Sequence, residues 1–166
     1  AGTAALVLAL TRQGPGAVLR GVSWGVLPLV AGLFVIVQAL EATGAVGALA
    51  GALARAAVAD PVAAAWGGGA IVAIATNLGN NLPVGLLAGA VVNGADAPAA
   101  VAGAVLIAVD LGPNLSVTGS LATILWLAAI RREGQEIGAW RFLVLGAAVM
   151  PPALVLALWA LIHPPF

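Results

Sequence analysis

Residues 76–83 read Thr-Asn-Leu-Gly-Asn-Asn-Leu-Pro and interrupt apolar sequence on both sides. The flanking apolar runs, 62–76 and 82–92, are each shorter than the roughly 20 residues that a helix needs to cross a bilayer. Non-helical backbone is tolerated at membrane depth only where protein or a water-filled cavity covers it. The stretch therefore predicts a re-entrant hairpin over residues 61–93, with residues 77–81 at its tip.

A second interruption begins at Asp110-Leu111-Gly112-Pro113-Asn114 and stays polar as far as Ser120. Pro113 removes a backbone donor and fixes φ, and the glycines at 112 and 119 relax the backbone, so a continuous helix is not expected here. Apolar runs at 98–109 and 121–130 flank the interruption as half-helices. The pattern predicts a broken transmembrane helix over residues 98–130.

Two other runs, 24–40 and 141–162, are the plainest candidates for complete crossings. The run 44–58 is rich in small residues, contains Arg55 and is followed by Asp60-Pro61. It is interpreted as an interfacial or connecting arm over residues 44–60, the alternative being a weak spanning helix. Residues 1–20 are interpreted as the end of a truncated helix followed by a cytoplasmic loop.

The composition agrees with a membrane location. Hydrophobic residues make up 63% and charged residues 7% of the chain, whereas about a quarter of the residues of a soluble domain are charged. The net charge is zero, so there is no basic face for nucleic acid. The sequence has no cysteine and one histidine, and it carries no nucleophile–base pair or phosphate loop. These features predict an all-α polytopic membrane protein without a metal site, a cofactor or catalytic residues.

Charge placement predicts the orientation, because cytoplasmic loops of membrane proteins retain positive charge. All arginines except Arg55 fall in two predicted loops, which are therefore assigned to the cytoplasmic side of the plasma membrane. These arginines are Arg12, Arg20, Arg131, Arg132 and Arg141.

Discontinuous helices in transporters place freed backbone groups and polar side chains near the midplane, where they bind ions or polar solutes. Both interruptions have this form, and their amides and hydroxyls suit a neutral polyhydroxyl solute or a cation. The alternative is that these groups cap the half-helices, and it is strongest for Ser120. The predicted substrate-binding residues are Thr76, Asn77, Asn80, Asn81, Asn114, Ser116, Thr118 and Ser120.

Asp110 is the only carboxylate within the two interruptions. A carboxylate at the centre of a spanning segment costs ~3 kcal/mol, so such groups normally face a cavity. Apolar surroundings favour the neutral form of a carboxylic acid. Asp110 is therefore predicted to couple transport to protons, the alternative being a helix-capping carboxylate beside water.

Three segments together resemble the second half of an arsenite-efflux permease of the ArsB type, within the larger ion transporter superfamily. They are residues 76–83, residues 110–114 and Thr118-Gly119-Ser120-Leu121-Ala122-Thr123. The resemblance extends from about Gly21 to the end of the chain. The sequence departs from the family pattern at Asn114, Ser116 and Val117.

The resemblance implies one repeat of an inverted-repeat transporter, with the solute held between hairpin tips and helix breaks. It implies export of arsenite or antimonite as the neutral trihydroxide in exchange for protons, sometimes with a soluble ATPase partner, and a missing N-terminal repeat. By position, the residues that match the family's hairpin tip and break are Asn77, Asn80, Asn81, Asp110, Gly112, Pro113, Thr118, Gly119 and Ser120. The residues predicted to shape the hairpin and the break are Gly79, Pro83, Gly112, Pro113 and Gly119.

Two other functions fit the sequence. A sodium/proton or anion transporter of the same superfamily would use Asp110 and the asparagine carbonyls to bind a cation. A non-transporting membrane scaffold subunit would use the polar breaks only for structure. The absence of basic residues near either break argues against a dicarboxylate as the solute.

Overall fold

The computed structural model describes residues 24–164, and these residues form helices without any strand. The chain divides into two compact units, residues 1–33 and Phe34–Phe166. Of the first unit, residues 24–33 are described. The predictions for residues 1–20, including Arg12 and Arg20, lie outside the described residues. The predicted all-α membrane fold is confirmed.

Seven α-helices and two short 3-10 turns follow one another along the described residues. The helices are α1 (Val26–Ala42), α2 (Ala45–Ala59), α3 (Pro61–Gly79), α4 (Asn81–Gly94), α5 (Ala99–Leu111), α6 (Leu121–Arg132) and α7 (Ala139–Ile162). The 3-10 turns, Gly112–Leu115 and Val117–Gly119, lie between α5 and α6.

The predicted first crossing, 24–40, corresponds to α1, which has 17 residues and ends before Gly44. Gly44 adopts φ 79°, a left-handed conformation that glycine accepts without steric cost and that commonly terminates helices. The segments Val30–Ala42 and Ala45–Ala59 are bent by 70° relative to each other, and they qualify as a membrane span only when taken together. The interfacial position of residues 44–60 stays a prediction.

The interruption at residues 77–81 is shorter in the structure than the sequence predicts. Helix α3 continues through Asn77 to Gly79 and reaches 19 residues. Thr76 Oγ1 and Asn77 Nδ2 both donate to the Ala73 carbonyl oxygen, at 2.8 and 2.7 Å. Polar side chains that bond back to the preceding turn can remain within a helix. Helix α3 is therefore long and apolar enough to cross a membrane. It is longer than the apolar run 62–76 because the helix continues through the polar residues that follow this run.

The second interruption begins later than predicted. Asp110 lies in the last turn of α5, which ends at Leu111, and the Gly112 N–H still bonds the Ala108 carbonyl. The backbone leaves the α-helix at Gly112 and passes through two 3-10 turns to Ser120, where α6 begins. Residues 112–120 are called the break below.

Helix α7 has 24 residues and is the longest described helix. It begins at Ala139, so Arg141 lies in its first turn. The charge pattern predicts Arg141 in the preceding loop, and this prediction is wrong by one helical turn. Pro151 and Pro152 lie inside the helix. A proline within a helix removes one intrahelical hydrogen bond, so the two together weaken the middle of α7.

Helices α3, α5 and α7 form the core. Their contact faces are dominated by small residues, including Ala65, Ala73, Ala104 and Ala108, all nearly inaccessible to solvent. Leu158 of α7 is 1% exposed, and its Cδ1 lies 2.9 Å from the position that a Cβ on Gly69 would occupy. Small residues let helix backbones approach closely in membrane proteins. This packing places the end of α3 beside the end of α5.

Large apolar side chains on α1, α3 and α7 remain exposed in the described residues, among them Ile71, Leu78, Val149 and Trp159. Helices α3 and α7 are each long and apolar enough to cross a membrane, and the bent pair formed by α1 and α2 can supply a third span. The outward apolar faces agree with a chain that is surrounded by lipid and by other transmembrane segments.

Candidate solute site

Asn77 is the centre of the polar cluster formed where α3 meets the break. Its Nδ2 donates hydrogen bonds to the Ala73 oxygen and, at 2.8 Å, to the Gly112 oxygen. Its Oδ1 accepts a 2.7 Å hydrogen bond from Ser116 Oγ. An asparagine amide offers two donors and two acceptor positions. Three of these four are already used within the chain.

Ser116 and Thr118 complete the connection from the side of the break. Thr118 Oγ1 donates to the Asn77 backbone oxygen at 2.9 Å, and the Ser116 and Thr118 hydroxyls lie 3.1 Å apart. Asn80 Nδ2 donates to the Thr118 oxygen at 3.3 Å. Residues far apart in sequence are thus joined by hydrogen bonds through both side chains and backbone. The structure brings together Asn77, Asn80, Ser116 and Thr118 of the predicted set.

Two glycines allow the break to approach α3 this closely. A Cβ on Gly112 would lie 2.5 Å from the Ala73 Cα and 2.8 Å from Thr76 Oγ1. A Cβ on Gly119 would overlap the Pro113 carbonyl oxygen and lie 2.8 Å from Asn77 Oδ1. Both residues are buried, so neither contact can be relieved by moving into solvent. These two glycines and the buried Pro113 fix the shape of the break.

The turn between α3 and α4 is made by Asn80, which adopts φ 67° and ψ 149°. This conformation is unfavourable for a residue with a side chain. Asn80 Oδ1 offsets part of that cost by accepting a hydrogen bond from the Leu82 N–H at 3.3 Å. Asn81, the first residue of α4, makes no side-chain hydrogen bond to any residue within 24–164.

Pro83 and Gly79, which the sequence predicts to be structural residues, lie beside this turn. Pro83 is buried in the first turn of α4, where its missing N–H leaves no helical hydrogen bond unmade. A Cβ on Gly79 would lie 3.0 Å from Val84 Cγ2. The two residues shape the connection between α3 and α4 and offer no side-chain polar group.

Asp110, in the last turn of α5, and Asn114, in the break, are both exposed. Asn114 Nδ2 donates to the backbone oxygens of Asp110 and Leu111 at 3.2 and 3.0 Å. No residue between 24 and 164 pairs with the Asp110 carboxylate or donates to Asn114 Oδ1. Both groups are hydrogen-bond acceptors without a donor among the described residues.

Thr76 and Ser120 have local structural roles in this chain. Thr76 is completely buried, and its hydroxyl donates to its own helix at the Ala73 oxygen. Ser120 is the N-cap of α6, and its Oγ accepts a hydrogen bond from the Ala122 N–H at 3.2 Å. The Thr76 hydroxyl shares the Ala73 oxygen with Asn77 Nδ2. Within residues 24–164, neither the Thr76 nor the Ser120 hydroxyl makes a hydrogen bond to Asn77, Ser116 or Thr118.

Gly146 of α7 contacts the break on the side away from α3, and no sequence pattern predicts this contact. A Cβ on Gly146 would lie 2.5 Å from the Leu115 oxygen and 2.6 Å from the Asn114 oxygen. Because Gly146 lies within an otherwise apolar run, no local pattern distinguishes it from the other helical glycines. Its contact depends on the packing of α7 against the break.

The site is built from neutral hydrogen-bonding groups and the Asp110 carboxylate, which has no partner among residues 24–164. No basic residue occurs in the sequence between Arg55 and Arg131, so α3, α4, α5 and the break contain none. Residues 24–164 contain no group of three His, Cys, Asp or Glu side chains suited to a metal ion. The arrangement can accept hydrogen bonds from a neutral polar solute and can bind a proton or a cation at Asp110.

Interrupted helices that meet at a polar cluster, in a chain whose helices are long and apolar enough to cross a membrane, are typical of multi-pass membrane transporters. The model of the family described as arsenical pump membrane protein (ArsB) matches residues 1–163, and the chain belongs to this family. Localisation in the plasma membrane follows from the family together with the apolar helices.

Curated relatives agree with the family assignment. The chain is 31% identical over 150 residues to an arsenical pump membrane protein of Yersinia enterocolitica, covering 88% of this chain and 35% of the relative. It is 29% identical over 166 residues to one of Escherichia coli, covering 95% and 39%. An uncharacterized transporter of Mycobacterium tuberculosis is 32% identical over 164 residues, covering 95% and 38%.

The chain therefore spans between a third and two fifths of the length of these relatives. The search of solved structures found no match.

Proposed function

We propose that the full-length protein exports arsenite or antimonite as the neutral trihydroxide in exchange for protons, and that this chain supplies half of the solute site. The observation that carries the proposal is the polar cluster at the ends of α3 and α5, where exposed acceptors lie in a region without basic residues. A neutral solute with three hydroxyl groups donates hydrogen bonds to such acceptors and needs no countercharge.

Within this half-site, the free Asn81 amide and the free oxygens of Asp110 and Asn114 are the groups available to the solute. Asn77, Ser116 and Thr118 hold the break against α3 through the hydrogen bonds between them. The rest of the protein supplies the opposing half-site as an inverted N-terminal repeat. The relatives' greater length leaves room for such a repeat.

Asp110 is the proposed proton carrier because its carboxylate is exposed and unpaired among the described residues. A carboxylate without a fixed countercharge can take up a proton from one side of the membrane and release it on the other. Exchange of one neutral solute for protons then uses the proton gradient. A soluble ATPase partner adds a second energy source. If it does, co-expression of such an ATPase with the full-length protein increases export.

The proposal is tested by expressing the full-length gene in a bacterial host that lacks its own arsenical export system. Growth in arsenite and antimonite is expected to extend to several-fold higher concentrations than with an empty vector. Inverted membrane vesicles are expected to accumulate arsenite when acidified internally. Normal expression without protection or vesicle uptake would refute the proposed substrate.

A cation transporter is the second candidate, and the unpaired Asp110 favours it. Sodium-driven proton movement in the same vesicles separates the two functions. Sodium-dependent changes in internal pH without arsenite uptake would assign the protein to cation exchange. Absence of both activities in well-expressed, stable protein would favour the scaffold interpretation.

A further inference from the structure

We propose that Gly146 of α7 is a positioning residue of the solute site, because it seats the backbone of the break at a fixed distance from α3. This inference rests on the proposed function for its effect on transport. It concerns a residue outside both polar interruptions.

Gly146 has no space for a side chain. The residue is buried, and a Cβ there would lie 2.5 Å from the Leu115 oxygen, 2.6 Å from the Asn114 oxygen and 2.9 Å from the Leu115 carbonyl carbon. Observed Cβ contacts are almost never shorter than 3.0 Å. All three neighbours are backbone atoms, so a rotamer change cannot relieve the overlap.

The break is held from both sides, by α3 and by α7. Gly112 and Gly119 meet Ala73 and Asn77 of α3, and Gly146 meets the carbonyls of Asn114 and Leu115 from α7. Gly112 and Gly146 each meet backbone atoms of the neighbouring segment, whereas Gly119 meets the side-chain oxygen of Asn77. The separation of α3 and α7 at this level is therefore set by the thickness of the break itself.

An atom added at Gly146 displaces the break and not α7. Helix α7 is anchored in the core by Met150, one turn beyond Gly146, and by Leu154 and Leu158 further along. Leu158 already fills the space beside Gly69. Close-packed interiors transmit such a displacement. A methyl group at Gly146 would push the break toward Asn77 and displace the free acceptors of Asp110 and Asn114.

The experiment compares Gly146→Ala with Gly67→Ala in the purified full-length protein. Gly67 is a helical glycine of α3 at which a Cβ would meet nothing within 4 Å, so it controls for the change in helix propensity. The break is monitored by the rate at which a maleimide alkylates Val117→Cys, in a protein whose other cysteines have been replaced. Val117 is half-buried, and its side chain has no hydrogen-bonding group, so its replacement by cysteine removes no hydrogen bond.

We expect Gly146→Ala to change the alkylation rate at Val117→Cys by several-fold, and Gly67→Ala to leave it unchanged. In vesicles, Gly146→Ala is expected to raise the KM for arsenite by roughly tenfold or more, because small misplacements of binding groups have large effects. Equal alkylation rates in the two variants would overturn the proposal. The alkylation rate does not depend on which solute is transported. A failure of the proposed function can therefore be distinguished from a failure of the inference about Gly146.

If Gly146→Ala is not recovered from membranes, Met150→Ala provides the second test. Shortening the buried Met150 side chain loosens the anchor of α7 without adding an atom at Gly146. Alkylation of Val117→Cys is expected to be several-fold faster in Met150→Ala than in Val149→Ala, since Val149 is 65% exposed. Equal rates in these two variants would show that α7 does not position the break.

Discussion

The Asn77 side chain of α3 donates a 2.8 Å hydrogen bond to the carbonyl oxygen of Gly112, at the point where α5 ends. Gly112 is buried, so water could not easily replace this donor if the Asn77 side chain were removed. The same amide accepts from Ser116. One asparagine thus joins the two polar interruptions that the sequence presents 35 residues apart.

Replacement of Asn77 by alanine is expected to destabilise the protein more than it alters solute contacts. A buried acceptor left without a donor costs about 1–3 kcal/mol. The full-length variant should therefore have a lower melting temperature in detergent. Asn93→Ala is the matched control, because Asn93 is exposed in α4 and its side chain makes no hydrogen bond in the described range. Equal melting temperatures for the two variants would contradict this role.

Gly119→Ala is expected to be more damaging than a typical glycine substitution in a helix. The added methyl group would overlap the Pro113 oxygen and press on Asn77 Oδ1, and overpacking of this kind costs roughly 1–3 kcal/mol. Gly89→Ala, where a Cβ meets nothing within 4 Å, should be neutral or slightly stabilising. Melting temperature and arsenite tolerance are both measured. Wild-type behaviour of Gly119→Ala would show that the break rearranges freely.

Thr76→Val is expected to leave the KM for the solute unchanged. The Thr76 hydroxyl is buried and bonded to its own helix, so its loss removes one local hydrogen bond worth about 0.5–1.5 kcal/mol. The variant keeps the side-chain shape that packs against Gly112. Initial rates of vesicle uptake over a range of arsenite concentrations provide the measurement. A several-fold rise in KM would restore Thr76 to the solute-binding set.

Asp110→Asn is expected to abolish uptake driven by a pH gradient while retaining exchange of labelled for unlabelled solute. The amide keeps an acceptor oxygen for the solute and cannot carry a proton between the two sides. Asp96→Asn is the control, because Asp96 is an exposed carboxylate in the connection between α4 and α5. Uptake of Asp110→Asn that still responds fully to the pH gradient would rule out Asp110 as the proton carrier.

The sequence by itself determined the membrane class, the helical content and the approximate positions of both interruptions. Bilayers admit few charged residues and require long apolar segments, so composition and run length carry this information directly. Proline and glycine mark backbone breaks locally, which is why the interruption around Pro113 could be predicted from residue types alone. The family resemblance rested on the same segments and is confirmed.

The tertiary structure decided which polar groups are used by the fold and which remain free. Asn77 and Asn81 are equivalent as residue types, yet Asn77 has three of its hydrogen-bonding positions filled and Asn81 has none filled within the described residues. Hydrogen bonds across 35 to 41 residues depend on how α3 packs beside the break. The contact of Gly146 with the break likewise depends on α7, whose sequence carries no polar signal there. Local residue chemistry predicts where a helix is interrupted, but only the packing of distant segments determines what each interruption contacts.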